Sequence, residues 1–184
     1  MIQPIYLYGS EVLRRQASQA DLSKKEELAT LIQDLKDTLA KADGCGLAAP
    51  QIGVSLRVVI VDGRGLDDTY PELRDFFRVI INPEVLEESK EQCEFSEGCL
   101  SIPRIYADVL RPSRIKLRYY DENLEQVTEE FGGFACRMVQ HELSHLDGVL
   151  FTDLVTPIRK KMIAKKLQNV SKGKVSTAYN VKIK

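Results

Sequence analysis

The sequence predicts an α+β domain with mainly antiparallel sheets wrapped around a central helix. Short β-branched runs at 57–62, 79–88 and 114–131, punctuated by Gly, Pro and Asn, read as strands. A stretch near the N-terminus carries an apolar stripe at helical spacing. A second helical stretch, CRMVQHELSHLDG (136–148), holds both histidines of the chain. Strands around one such helix give a two-layered α+β arrangement. A length of 184 residues fits one domain over 1–184, with the tail from about 157 the least constrained part.

In chain order, the first 22 residues read as irregular. SKKEELATLIQDLKDTLAKADG (23–44) follows as the N-terminal helix. Ser23 and Glu26 have capping-box spacing, Leu28, Leu31, Ile32, Leu35 and Leu39 share one face, and Gly44 is a natural stop. GCGLAAPQIG (44–53) reads as a loop, RVVIVD (57–62) as a strand and VIINPEVLEE (79–88) as another. RIKLRYYDENLEQVTEEF (114–131) reads as a hairpin turning at Asp121-Glu122-Asn123. Gly132 and Gly133 break that pattern before the histidine helix, which should end at Gly148. TPIRKKMIAKKLQNVSKG (156–173) reads as a C-terminal helix opened by Thr156 and Pro157, and KVSTAYNVKI (174–183) as a final strand.

Composition narrows the function classes. Hydrophobic content of 43% and charged content of 29% suit a globular chain with a real core. A formal net charge of -1 gives no global field to recruit nucleic acid or acidic lipid. The N-terminus lacks the basic and apolar regions of a signal peptide, and no run of eighteen apolar residues exists to span a membrane. Four cysteines without a secretion signal point to reduced thiols in a cytoplasm.

His141 and His145 are four apart, so on a helix their rings share one face. Glu142 lies about 100° round the helix, within reach of a metal-bound water. This is the mechanical content of H-E-x-x-H. A catalytic zinc-type site needs three protein ligands and one open position. No third histidine exists, and no Glu follows Glu142, so the downstream acids are Asp147 and Asp153. Upstream, Cys99 sits in SEGCLSIP, where Gly98 would let backbone approach a buried ion. Residue chemistry leaves the third ligand open between Cys99 and the two aspartates. Gly44-x-Gly46-x-x-Ala49 follows a helix rather than a strand and runs into Pro50, so it is not a dinucleotide fingerprint. It reads better as backbone lying close to a ligand, with Gln51 offering an amide donor.

GCGLAAPQ, EGCLS and QHELSHLDG, in this order, resemble the three motifs of the bacterial-type peptide deformylase family. The resemblance covers nearly all of the chain but poorly covers the last thirty or so residues. It implies Cys99, His141 and His145 as metal ligands with water in the fourth position. It also implies one divalent ion, Fe2+ in the cell, with Zn2+, Ni2+ or Co2+ as substitutes. The implied reaction removes the N-formyl group from the N-terminal formyl-methionine of new polypeptides. The implied fold is α+β with antiparallel sheets around the histidine helix. Glu142 would then act as general base and acid, with the Gln51 side chain and the Leu100 N–H stabilising the oxyanion. Gly46 would lie along the substrate backbone. Phe134 and Met138, two turns and one turn before His141, are on the right face for the methionine pocket.

One departure stands out: the family usually has Asp where this chain has Ser144. That acid would help hold a buried arginine, here Arg111, with Glu97 as the remaining partner. Activity is expected, with less support around the ligands. The Lys-rich run Arg159 to Lys166 either faces the ribosome or is a solvated surface. Two rival readings are a metallopeptidase with an Asp ligand and a closed structural zinc site using Cys99, Cys136, His141 and His145. Cys136, five residues before His141, is turned well off that face.

Overall fold

The computed structural model describes residues 1–184. The first 22 residues are not wholly irregular: Ile5–Tyr6 form a short strand, β1, and Glu11–Arg14 a 3-10 turn. Helix α1 spans Lys25–Ala42 and buries the anticipated stripe. The Ser23–Glu26 capping box does not form. The Ser23 N–H and hydroxyl instead donate to Asp21 Oδ1 at 3.0 and 2.7 Å. This local Asx turn competes for the same groups and delays the helix start. Asp43, in the left-handed region at φ 55°, ends the helix one residue before Gly44.

Strand β2 (Gly46–Ala48) and a 3-10 turn (Ala49–Ile52) replace the expected loop. β3 (Val58–Asp62) and β4 (Phe77–Glu88) follow. Then come two strands not anticipated from sequence, β5 (Gln92–Cys99) and β6 (Ile102–Pro112), paired as an antiparallel hairpin. Ile105, Ala107 and Val109 do alternate inward on β6, but the pattern is blurred by Glu97 and Arg111 at buried positions and by Tyr106 and Leu110 at exposed ones. β7 (Arg114–Tyr120) and β8 (Gln126–Gly132) form the predicted second hairpin.

The order β2-β3-β4-β7-β8 makes one antiparallel five-stranded sheet. Its central strands are apolar on both faces, as a sheet covered twice requires. Val58, Ile60, Val79 and Ile81 pack with the α1 stripe. Val59, Val61, Ile80 and Leu117 pack with Val139, Leu143 and Leu146 of helix α2 (Gly133–Leu146). The opposite side of α2 meets the β5–β6 hairpin: Arg137 donates to the Cys93 and Val109 carbonyls, and Gln140 to the Pro112 carbonyl. The histidine helix therefore lies between a sheet and a hairpin. It ends at Leu146, two residues before Gly148, whose φ is 71°.

Helix α3 (Pro157–Ser171) opens as anticipated, with Thr156 Oγ1 accepting from Arg159 N at 3.3 Å. Ile163, Leu167 and Val170 pack against Ile105, Ala107 and Val109 of β6. The expected C-terminal strand over 174–183 shrinks to β9, Val181–Lys182, which runs parallel to β1. Its partner strand is only two residues long, and upstream the chain turns inward so that the Tyr179 hydroxyl reaches the Leu100 carbonyl at 2.7 Å. No helix is long and apolar enough to cross a membrane.

Candidate metal centre

Cys99, His141 and His145 converge. Their ligand atoms lie within 4.8 Å of one another, and Cys99 Sγ is 3.4 Å from His145 Nε2. The histidines come from successive turns of α2. The cysteine comes from the last residue of β5, beyond a register shift after Glu97 that precedes the two-residue turn Leu100-Ser101. A bulge of this kind re-aims a side chain at a sheet edge. Gly98 serves a purpose other than the one expected. A Cβ there would come within 2.6 Å of the Tyr106 ring, so the glycine makes room for a tyrosine rather than for an ion.

Neither rival ligand set assembles. Asp147 Oδ1 accepts from Arg57 at 2.9 Å. Asp153 accepts from Arg14 and from the Leu150 N–H. Cys136 turns away toward Gln140 Nε2, at 3.1 Å, and the Pro112 carbonyl. Cys45 borders the cleft, but burial, with help from Glu142, pushes its thiol up to about 11. It stays a neutral thiol.

Glu97 organises the far side of the histidines. Its Oε1 receives His141 Nδ1 at 2.8 Å and Arg111 Nη2 at 3.0 Å. Its Oε2 receives Arg111 Nε at 2.7 Å and Arg137 Nη1 at 2.6 Å. The third Arg111 contact is Nη1 to Ser144 Oγ at 2.8 Å, so Ser144 stands where the sequence reading places it. Arg137 was not anticipated. Its signal was present, as the one charged residue in ACRMV and one turn before His141 on the same face. Two buried guanidiniums thus share one carboxylate.

These contacts set the protonation states. Burial pushes the Glu97 carboxyl up, but hydrogen bonds from His141 and Arg111 outweigh it and hold the group well below the usual carboxylate range. Burial lowers His141, yet its hydrogen bonds to Cys99 and Glu97 prevail and raise it to about 10. Surroundings that bind a proton so firmly on this imidazole offer the same attraction to a metal cation. A bound cation would take the place of the Nε2 proton while the Nδ1–H stays donated to Glu97, the usual carboxylate–histidine arrangement of metal sites. Burial, reinforced by His141, lowers His145 well below its ordinary value, so its ring is neutral, as a ligand must be.

Glu142 is 5% exposed, and its Oε2 has no hydrogen-bond partner. Burial pushes it up to about 7. A Cβ at Gly46 would collide with the Glu142 carboxylate, so this glycine is required first by that carboxylate. Gln51 is held by its Oε1, which accepts from the Ala48 N–H at 2.9 Å. Its Nε2 then donates to Ser101 Oγ at 3.1 Å and lies 3.5 Å from Cys99 Sγ. The Leu100 N–H donates to no protein acceptor. Gly46, Gln51, Cys99, Leu100, Phe134 and Met138 all border one cleft of about 1420 Å³. Phe134 is stacked on Tyr70, with ring centroids 4.4 Å apart, and set edge-on to Phe95 at 5.6 Å.

The chain is similar in sequence and in fold to known proteins. A family model described as polypeptide deformylase matches residues 2–161. A peptide deformylase of Christiangramia forsetii is 42% identical, over 99% of this chain and 96% of its own. One from Salinibacter ruber is 42% identical over 97% and 93%. A crystal structure of a peptide deformylase from Legionella pneumophila superposes with a TM-score of 0.81 at 34% identity, covering 95% of this chain and 98% of that one. One from Thermus thermophilus gives 0.81 at 36% identity, covering 94% and 99%.

Proposed function

The chain belongs to the peptide deformylase family, and from that premise we infer how its own residues divide the reaction. It is a metal-dependent hydrolase that removes the N-formyl group from the N-terminal formyl-methionine of newly made polypeptides, releasing formate. The observation that carries the assignment to residues is the convergence of one thiol and two imidazoles beside a buried carboxylate with an unpartnered oxygen.

Cys99, His141 and His145 would hold the metal. The donor set fits: a neutral His145, a His141 polarised by Glu97, and a thiol that a cation would deprotonate. A thiolate with two imidazoles suits borderline divalent ions, with Fe2+ the expected ion in the cell and Zn2+, Ni2+ or Co2+ as substitutes. When bound, the ion polarises the formyl carbonyl and makes water a nucleophile near neutral pH.

Glu142 takes the proton from the attacking water through its unpartnered Oε2. It then returns a proton to the leaving amine as the C–N bond breaks. An affinity near neutrality, set by burial, suits a group that must do both. Gln51 Nε2 and the Leu100 N–H donate to the oxygen as negative charge develops on it. Phe134 and Met138 form the apolar wall for the methionine side chain, with Phe134 stiffened by Tyr70 and Phe95. Gly46 leaves room for both Glu142 and an extended substrate backbone. Lys160, Lys161, Lys165 and Lys166 of α3 are exposed, while Arg159 is half-buried and donates to the Tyr106 carbonyl; these lysines would meet ribosomal phosphates where nascent chains emerge, consistent with action in a bacterial cytoplasm.

The deciding assay is formate release from a formyl-Met tripeptide, with anaerobic Fe2+ and with Zn2+. An unformylated, N-acetylated tripeptide is the control. Cleavage of an internal peptide bond without formate release would overturn the assignment.

A further inference from the structure

Residues 162–184 lie beyond the stretch that the family model matches, yet they reach the turn next to Cys99. The tail is anchored first. Ile5 N donates to the Asn180 carbonyl at 2.9 Å and Leu7 N to the Lys182 carbonyl at 2.8 Å. The Thr177 hydroxyl donates to the Tyr179 carbonyl at 2.7 Å. The Tyr179 ring packs against the α1-side core, and its hydroxyl donates to the Leu100 carbonyl at 2.7 Å. Burial pushes this phenol up to about 12, so it donates rather than ionises.

The other contacts of the turn form a set with Tyr179. The Ser101 carbonyl accepts from Tyr8 N at 2.8 Å, and the Ser101 hydroxyl accepts from Gln51 Nε2 at 3.1 Å. The Leu100 side chain sits over Gly44, where a Cβ would come within 2.8 Å of Leu100 Cδ1. The Ser101 carbonyl, the Ser101 hydroxyl and the Leu100 carbonyl are therefore each held by a hydrogen bond. The Leu100 carbonyl is fixed by the tail alone, and the Leu100 N–H is left for the cleft. Preorganised donors are effective in catalysis because they need no rearrangement as charge develops.

We propose that Tyr179 is a positioning residue: through its bond to the Leu100 carbonyl, the C-terminal tail holds the Leu100 N–H aimed at the reacting oxygen. This rests on the reading of Leu100 as an oxyanion donor given above. Tyr179 borders the same cleft but is not among the converging ligand groups, and what it does through the Leu100 carbonyl belongs in kcat rather than in ground-state binding.

The test uses the full-length, metal-loaded enzyme and the variants Tyr179→Phe and Tyr179→Leu. For Tyr179→Phe, the loss of one hydrogen bond should lower kcat by about 2- to 10-fold. KM and metal content should be unchanged, and Tm should fall by a few degrees at most. Hydrogen exchange of the Tyr8 amide, whose acceptor is the Ser101 carbonyl, should quicken as the turn loosens. Tyr179→Leu should show the same kcat loss and, because its ring is gone, a larger fall in Tm. An unchanged kcat in Tyr179→Phe overturns the proposal. So does a rise in KM alone, which would mean that the phenol touches substrate, or a joint fall in Tm and metal content, which would mean a purely structural role. Quicker Tyr8 exchange with unchanged kcat would show that the tail pins the turn but that Leu100 is not the donor. Wild-type enzyme that releases no formate would instead count against the functional reading itself.

Discussion

Glu97 Oε1 receives the Nδ1 of His141 at 2.8 Å. The same carboxylate accepts from Arg111 and Arg137, so one buried acid orients an imidazole and neutralises part of two guanidiniums. Glu97→Gln removes the charge but keeps the shape. It strands two buried cations that cannot shed their protons. Breaking a buried pair typically costs ~3–5 kcal/mol, and losing the orienting partner of a metal-ligating histidine typically costs ~10–100-fold in metal affinity or activity. Thermal unfolding and metal titration of the variant should both register the change. A variant with wild-type Tm and metal affinity would leave Glu97 without its organising role.

Glu142→Ala should keep the metal but lose most turnover, because general acid–base catalysis contributes ~10²–10⁴-fold. Glu142 is not among the converging ligand atoms. Elemental analysis should find full metal occupancy, while single-turnover formate release is slow. Near-wild-type turnover in a metal-replete variant would assign the proton transfers elsewhere.

Much of this site was legible in the sequence, but by different routes. Helical spacing was sufficient to bring His141, His145 and Glu142 to one stretch. It could not choose between Cys99 and the aspartates, because the partner strand β5 was not recognised. That failure has a physical source: Glu97 and Arg111 face inward on β5 and β6, so the alternation that betrays a half-buried strand is broken at the functional positions. Arg137 was missed for a related reason, since charged residues on helices are normally solvated while this one is 2% exposed. The Tyr179 contact spans 79 residues of sequence and joins a tail to a turn. No local pattern encodes such a meeting.

Cys99→Ala should lose the metal, whereas Asp153→Asn should retain it. Asp153 instead ties the segment after α2 to Arg14 and to the Leu150 N–H. Burial raises its carboxyl, but these hydrogen bonds prevail and lower it. A depressed folded-state value means stability that is present above the unfolded value of about 3.9 and is lost as pH falls through the folded one. The cost of Asp153→Asn, about 1 kcal/mol or less for a partly exposed pair, should therefore appear at pH 7 and fade below about pH 4. Denaturant unfolding of both proteins at pH 7 and pH 3 measures this. A cost that persists undiminished at pH 3 would mean that the carboxylate charge is not what matters.

Ser144 offers Arg111 a neutral hydroxyl at 2.8 Å. That hydroxyl also donates back to the Gln140 carbonyl at 3.0 Å. An acid at 144 would meet the Arg111 Nη1 directly, in surroundings where two guanidiniums share the single carboxylate of Glu97. Ser144→Asp should therefore be neutral or stabilising, and it should partly rescue Glu97→Gln. The rescue should be incomplete, because an acid at 144 would meet Arg111 and would not replace the acceptor for Arg137 or for His141 Nδ1. Tm should accordingly recover more than metal affinity does. A double-mutant cycle on Tm and on the rate of formate release reads the coupling, with neighbours of this kind expected to interact by ~0.5–3 kcal/mol. Strict additivity would show that residue 144 does not act on the Glu97–Arg111 pair. A rescue of metal affinity equal to that of Tm would show that His141 is oriented through Arg111 rather than by Glu97 itself.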